Sequence, residues 1–147
     1  MVKLVALAAL VLLSPPHGTV GVRATQLGQT LVDARGHTLY VLDHGSCTGA
    51  CAATWPPFLT KGKPVAHGVA AAKLGTKKLA GGKLQVTFGG KPLYFYAGDS
   101  GAGQVAGASV AHWAALSPTG TRLTSSSAPP STVTTPTMTD PGYGDGY

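Results

Sequence analysis

Leu84-Gln85-Val86-Thr87-Phe88-Gly89-Gly90-Lys91-Pro92-Leu93-Tyr94-Phe95-Tyr96 is the stretch that decides the fold. Leu84, Val86 and Phe88 alternate with Gln85 and Thr87, which is the period of a half-buried strand. Gly89-Gly90 suits the positive φ angles of a tight hairpin turn. Pro92 stands at the start of the return strand, where no ladder donor need be lost. Leu93 and Phe95 then face one side of that strand, and Tyr94 and Tyr96 the other.

The same shape occurs earlier in the chain. Residues 31–45 lie on residues 85–99 without a gap, at an offset of 54. Val32 falls on Val86, Gly36 on Gly90, Leu39 on Leu93 and Tyr40 on Tyr94. In this first copy, Thr30 to Asp33 and Thr38 to Asp43 flank the turn residues Arg35-Gly36. A glycine-rich loop follows each hairpin, and then a tryptophan and proline: Trp55-Pro56-Pro57 and Trp113 to Pro118.

A lone hairpin is marginal in water. Two copies are too few for a solenoid, whose units lean on neighbours at both ends. The expected fold is therefore all-β: two tandem hairpin-based repeats sharing one core, as a compact antiparallel sandwich or barrel-like body. At most one short helix is expected, over Gly68 to Leu74 with Gly75 closing its end. Repeat 1 covers about 19–60 and repeat 2 about 80–120 of a β-domain at 19–120.

The two ends read differently. Lys3 followed by ten apolar residues, Leu4 to Leu13, ending at Ser14-Pro15-Pro16, reads as a signal peptide over 1–18. Ten residues are too few to cross a bilayer, which needs roughly 17–25, so no transmembrane span is expected in the mature chain. Cleavage is expected between about Ser14 and Ala24, and a cut after Arg23 would remove Thr19 to Arg23, a candidate first strand. No cysteine follows the apolar run, so no lipid anchor on an amino-terminal cysteine is expected. Ser, Thr and Pro fill 15 of the 27 positions at 121–147, which reads as a disordered tail.

At these residues the chain resembles the bacterial secreted-repeat family, often lipoproteins, that carries a Tyr-x-[Phe/Trp/Tyr]-x-x-Asp motif. The second copy fits in full, as Tyr94-Phe95-Tyr96-Ala97-Gly98-Asp99. The first keeps Tyr40 but has Leu42 in place of the aromatic and Gly45 in place of the aspartate, with Asp43 two residues early. Cys47 to Cys51, followed by Trp55-Pro56-Pro57, is also similar to the family, as is Trp113 to Gly120. The resemblance covers roughly 19–120 and implies fold and location. The family has no settled activity, so it implies no chemistry.

The candidate site residues are Tyr40, Asp43, Tyr94, Tyr96, Asp99, Trp55 and Trp113. A Tyr and an Asp five positions apart on one strand point to opposite faces, unless the Asp has left the strand. Asp99, in Gly98-Asp99-Ser100-Gly101, is expected to have left it and to fix the following turn through backbone donors. The tyrosines and tryptophans are then packing plates. The rival reading makes Tyr40, Tyr94, Tyr96 and a tryptophan a ligand platform.

Cys47 and Cys51 are the only cysteines, and in an exported chain a disulfide between them is expected. The rival reading is a copper site of Cys47, Cys51 and His44. The chain has no glutamate and five aspartates, and it shows no nucleophile elbow, phosphate loop or metalloprotease helix. An enzyme is therefore not expected, and no cofactor beyond the copper alternative. Seven of the eight lysines lie within Lys61–Lys91, a solvated face or an attraction to anionic envelope polymers or lipid headgroups. No groove-reading helix or stacking platform accompanies them, so nucleic acid is not expected as a partner. Taken together, these features point to a secreted or cell-envelope, non-catalytic binding or structural module.

Overall fold

The computed structural model describes residues 18–125. The expected signal peptide and most of the expected tail lie outside the described residues. The chain between them is mostly β, in three small sheets. Its one α-helix, α1 (Ala50–Thr54), is short, and the remaining helical turns are of the 3-10 type.

Sheet one joins β1 (Thr19–Thr25), β2 (Gly28–Val32) and β5 (Val65–Ala66) in the order β2-β1-β5. Sheet two joins β3 (Tyr40–Leu42), β9 (Trp113–Leu116) and β10 (Arg122–Leu123) in the order β10-β9-β3. Sheet three runs β4-β7-β6, from β4 (Leu59–Thr60), β6 (Leu74–Lys78) and β7 (Leu84–Phe88), with β8 (Lys91–Pro92) paired to β7. The sheets pack in a sandwich-like way, and none closes into a barrel. All pairs are antiparallel except β1 with β5, where Thr19 lies beside Val65 in parallel. Because β1 is bonded on both sides, a cut after Arg23 would remove most of a strand that holds two neighbours.

The decisive hairpin forms as read. Gly89 and Gly90 have φ of 57° and 79°, and Phe88 pairs with Lys91 across them. The strand is not half-buried, however: Gln85 and Thr87 are as enclosed as Val86 and Phe88. β4 and β6 flank β7, and the buried Gln85 side-chain amide donates to the Leu93 carbonyl at 2.8 Å.

The first hairpin differs by one residue. Asp33 N–H donates to His37 O, Val32 bridges Thr38, and Leu39 N–H donates to Leu31 O. In the second copy Leu93 N–H donates to Val86 O. The structural counterpart of Val86 is therefore Leu31, not Val32. A three-residue turn at Ala34-Arg35-Gly36 replaces the two-residue Gly89-Gly90 turn, so the ungapped overlay holds for the return strands only. Asp33 braces the longer turn, accepting from the Arg35 and His37 N–H groups at 2.9 Å each.

The helix expected at Gly68 to Leu74 does not form. Only Ala71–Lys73 makes a 3-10 turn, and Gly75 lies inside β6, opposite Thr87. A Cβ at Gly75 would come within 2.9 Å of the Thr87 hydroxyl, so close strand approach, not helix closure, explains this glycine. β10 lies past residue 120, with Arg122 opposite Leu116, so paired structure continues into the segment read as tail.

Both copies contribute to one core. Leu31, Leu39 and Val41 pack with Val86, Phe88 and Leu93, all 1% exposed or less. Burying this shared layer helps to offset chain entropy, at roughly 25 cal/mol per Å² of apolar surface. Burying it separately in each half would leave one apolar face wet.

Candidate functional site

The motif strands meet each other before anything else. Tyr40 and Tyr94 exchange backbone hydrogen bonds, at 2.8 and 2.9 Å, and so join the two copies at equivalent residues. Each motif strand then pairs with the tryptophan segment of the other copy. Tyr40, Val41 and Leu42 lie opposite Ala115, Ala114 and Trp113. Tyr94 bridges Pro57, Phe95 N–H donates to Pro56 O, and Ala97 N–H donates to Thr54 O. The tryptophan segments are thus exchanged between repeats.

This exchange brings the aromatic rings together. Trp55 and Trp113 stack face to face, with centroids 3.7 Å apart and planes 5° apart. Tyr40 meets Trp55 edge-on at 5.5 Å, and Tyr94 meets Trp113 edge-on at 5.2 Å. Tyr96 stacks on Trp55 at 4.4 Å, while its counterpart Leu42 leaves Trp113 without such a ring. Tyr40, Tyr94, Trp55 and Trp113 are all buried. Gly98 is required beside them, because a Cβ there would lie 2.4 Å from the Tyr96 ring.

Asp99 has left the strand, and it does accept a backbone donor, the Ala106 N–H at 3.0 Å. Its second partner comes from the other repeat: the Tyr40 hydroxyl donates to Asp99 Oδ2 at 2.6 Å. The Gly107 N–H donates in turn to Tyr40 Oη at 3.3 Å. Burial holds the Asp99 carboxyl above its usual range, against the opposing effect of the Tyr40 hydrogen bond. Burial, then the Asp99 hydrogen bond and charge, push the Tyr40 phenol well above its ordinary value. The group is a neutral phenol bound to a carboxyl, suited to fastening and poorly suited to exchanging a proton near neutral pH.

Asp43 does not take the missing motif aspartate's place. It pairs with Arg122 at 3.0 Å and lies 3.7 Å from His112. The partners Arg122 and His112 had no signal in the sequence, since they sit about 70 or more residues away. His112 carries a positive φ of 70° at the corner before β9. Asp43, His44 and His112 present ligand-type atoms within 4.8 Å of one another, all exposed.

Cys47 and Cys51 form a disulfide. It spans the start of α1, whose end is closed by Trp55 N–H donating to Cys51 O at 2.9 Å. Cys47 is buried beside Trp55 in the aromatic cluster. The bond therefore holds the loop that delivers Trp55. In this form neither sulfur is a thiolate, and His44 groups with Asp43 and His112. The lysines of Lys61–Lys91 are exposed, although Lys73 also donates to Thr119 O and lies over the Phe88 ring. Among the described residues, no helix is long and apolar enough to cross a membrane.

Residues 75–116 match the family model described as a secreted repeat of unknown function. The matched span contains β7, β8, the segment Tyr94 to Asp99, and all of β9. It fits a secreted or envelope location. No curated protein and no solved structure matches the chain.

Proposed function

We propose that this chain is an exported, non-catalytic module of the cell envelope or extracellular space, in which the motif residues fasten two repeats into one body. The hydrogen bond from Tyr40 to Asp99 carries this reading. It links the tyrosine of one repeat to the aspartate of the other, beneath a stacked tryptophan pair. The secreted-repeat match and the Cys47–Cys51 disulfide support an oxidising location. The exposed lysines of Lys61–Lys91 suit an anionic envelope polymer as the surrounding matrix.

Two measurements test the reading. Cell fractionation should find the protein outside the cytoplasm, and recovery only from the cytoplasm would reject the exported role. Asp99→Ala should cost about 1–3 kcal/mol, because it strips the buried Tyr40 hydroxyl of its acceptor. For a domain of this size that lowers the melting temperature by roughly 4–8 °C per kcal/mol. An Asp99→Ala protein that melts like the parent would reject the fastening role.

A further inference from the structure

The two motif tyrosines are not equally provided for. Tyr40 reaches Asp99, the residue five beyond Tyr94. The reciprocal partner for Tyr94 is the residue five beyond Tyr40, which is Gly45 and has no side chain to offer. A Cβ placed on Gly45 or Gly49 meets no atom within 4 Å. A Cβ on Gly107, which lies against Tyr40, would fall 2.8 Å from the phenol ring. Gly107 is thus packed against the Tyr40 ring, while the positions Gly45 and Gly49 border open space.

Tyr94 is only 4% exposed, and among the described residues its hydroxyl has no hydrogen-bond partner. Among the described residues no fully enclosed side-chain polar atom lacks a partner, so the Tyr94 oxygen keeps contact with solvent. Its oxygen is not sealed off: Tyr94 lines a cleft of about 410 Å³ together with Ser46, Thr48 and Gly49. Lys77 and Lys83 stand on the same cleft with their charges exposed to solvent.

We infer that this cleft binds a carboxylate, which accepts the Tyr94 hydroxyl as Asp99 accepts that of Tyr40. Lys77 and Lys83 attract the charge, and the phenol and the Ser46–Gly49 loop orient it. The ligand class is an organic acid with its carboxylate at an accessible end, such as a peptide terminus or a sugar acid. The inference goes beyond the fastening reading and fails separately from it, since loss of ligand binding would leave the Tyr40–Asp99 link untouched.

The test uses the full, disulfide-intact protein, titrated separately with N-acetylglycine, glucuronate and inorganic phosphate. Amide NMR shifts of Ser46, Thr48 and Gly49 are the readout. One or both carboxylates should give saturable shifts, and the stronger of the two identifies the source. Tyr94→Phe keeps the ring and should weaken that binding about tenfold or more, as loss of a hydrogen bond to a charged group does. Gly45→Asp should supply the missing carboxylate internally and abolish the shifts. Because Gly45 has a φ of 83°, Tyr94→Phe is the deciding variant if Gly45→Asp folds poorly. Absence of saturable shifts with both carboxylates overturns the inference. So does binding that Tyr94→Phe leaves unchanged, or a preference for phosphate, either of which would reduce the site to lysine charge alone.

Discussion

Tyr40 and Tyr94 hold equivalent places in the two repeats, yet one phenol is enclosed and the other opens on a cleft. Asp99 and Gly107 close around Tyr40. Tyr94 is also buried, but it lines a cleft beside Ser46, Thr48 and Gly49. The fold keeps its symmetry in the backbone, through the Tyr40–Tyr94 pairing and the exchanged tryptophan segments, and gives it up in the side chains.

The largest effect expected from this comparison is on the half molecule. A fragment ending near Ala80 lacks Trp113, Ala114 and Ala115, the partners of β3, and also lacks β7. It should show no cooperative unfolding transition by circular dichroism. A sharp transition would mean that the shared core is dispensable, and the equivalence of the two tyrosines would lose its basis.

A smaller effect separates the two phenols. Tyr40→Phe leaves Asp99 half-buried without its hydroxyl donor and should cost about 1–3 kcal/mol in urea unfolding. Tyr94→Phe removes a hydroxyl that has no partner and should stay within about 0.5 kcal/mol of the parent. Equal costs would erase the contrast.

The smallest effect is on pH dependence. Asp99 is held above its ordinary value of 3.8, so the folded state keeps its proton more readily than the unfolded chain does. Its contribution is fully present below that value and declines as pH rises through the raised one. Between pH 3.8 and neutrality the parent should therefore lose slightly more stability than Asp99→Asn, which has no proton to release. Solvent around a half-buried carboxyl keeps the difference small. Tyr40 acts in the same sense at the alkaline end: its contribution holds below 10.0 and is lost as pH climbs through the raised folded value. Urea midpoints across pH check both directions.

The local patterns were legible in the sequence because they rest on local chemistry. Alternation at Leu84 to Phe88 and the glycine pair after it were enough for β7 and its turn. Two cysteines in a chain read as exported were enough for the disulfide. The helix assigned to Gly68–Leu74 failed because no apolar periodicity backed it, and β6 instead gained the edge of β7. The one-residue slip between the copies was hidden because Gly36 and Gly90 align although their turns differ in length. The Tyr40–Asp99 link was illegible for a different reason. It joins residues 59 apart, and only the exchange of Trp55 and Trp113 between repeats brings them together. The missing aspartate at Gly45 was visible from the start, but its meaning depends on knowing which tyrosine it would have served.

The exchanged pairing also sets an order of events. β3 waits for β9, whose residues lie 71–75 positions further along the chain, so the earliest-made motif strand cannot be satisfied until nearly the whole domain is available. Contacts this distant in sequence slow folding and postpone it. A polypeptide threaded lengthwise through a narrow conduit benefits from that delay: it stays pliable in transit and locks only after its last strand has emerged.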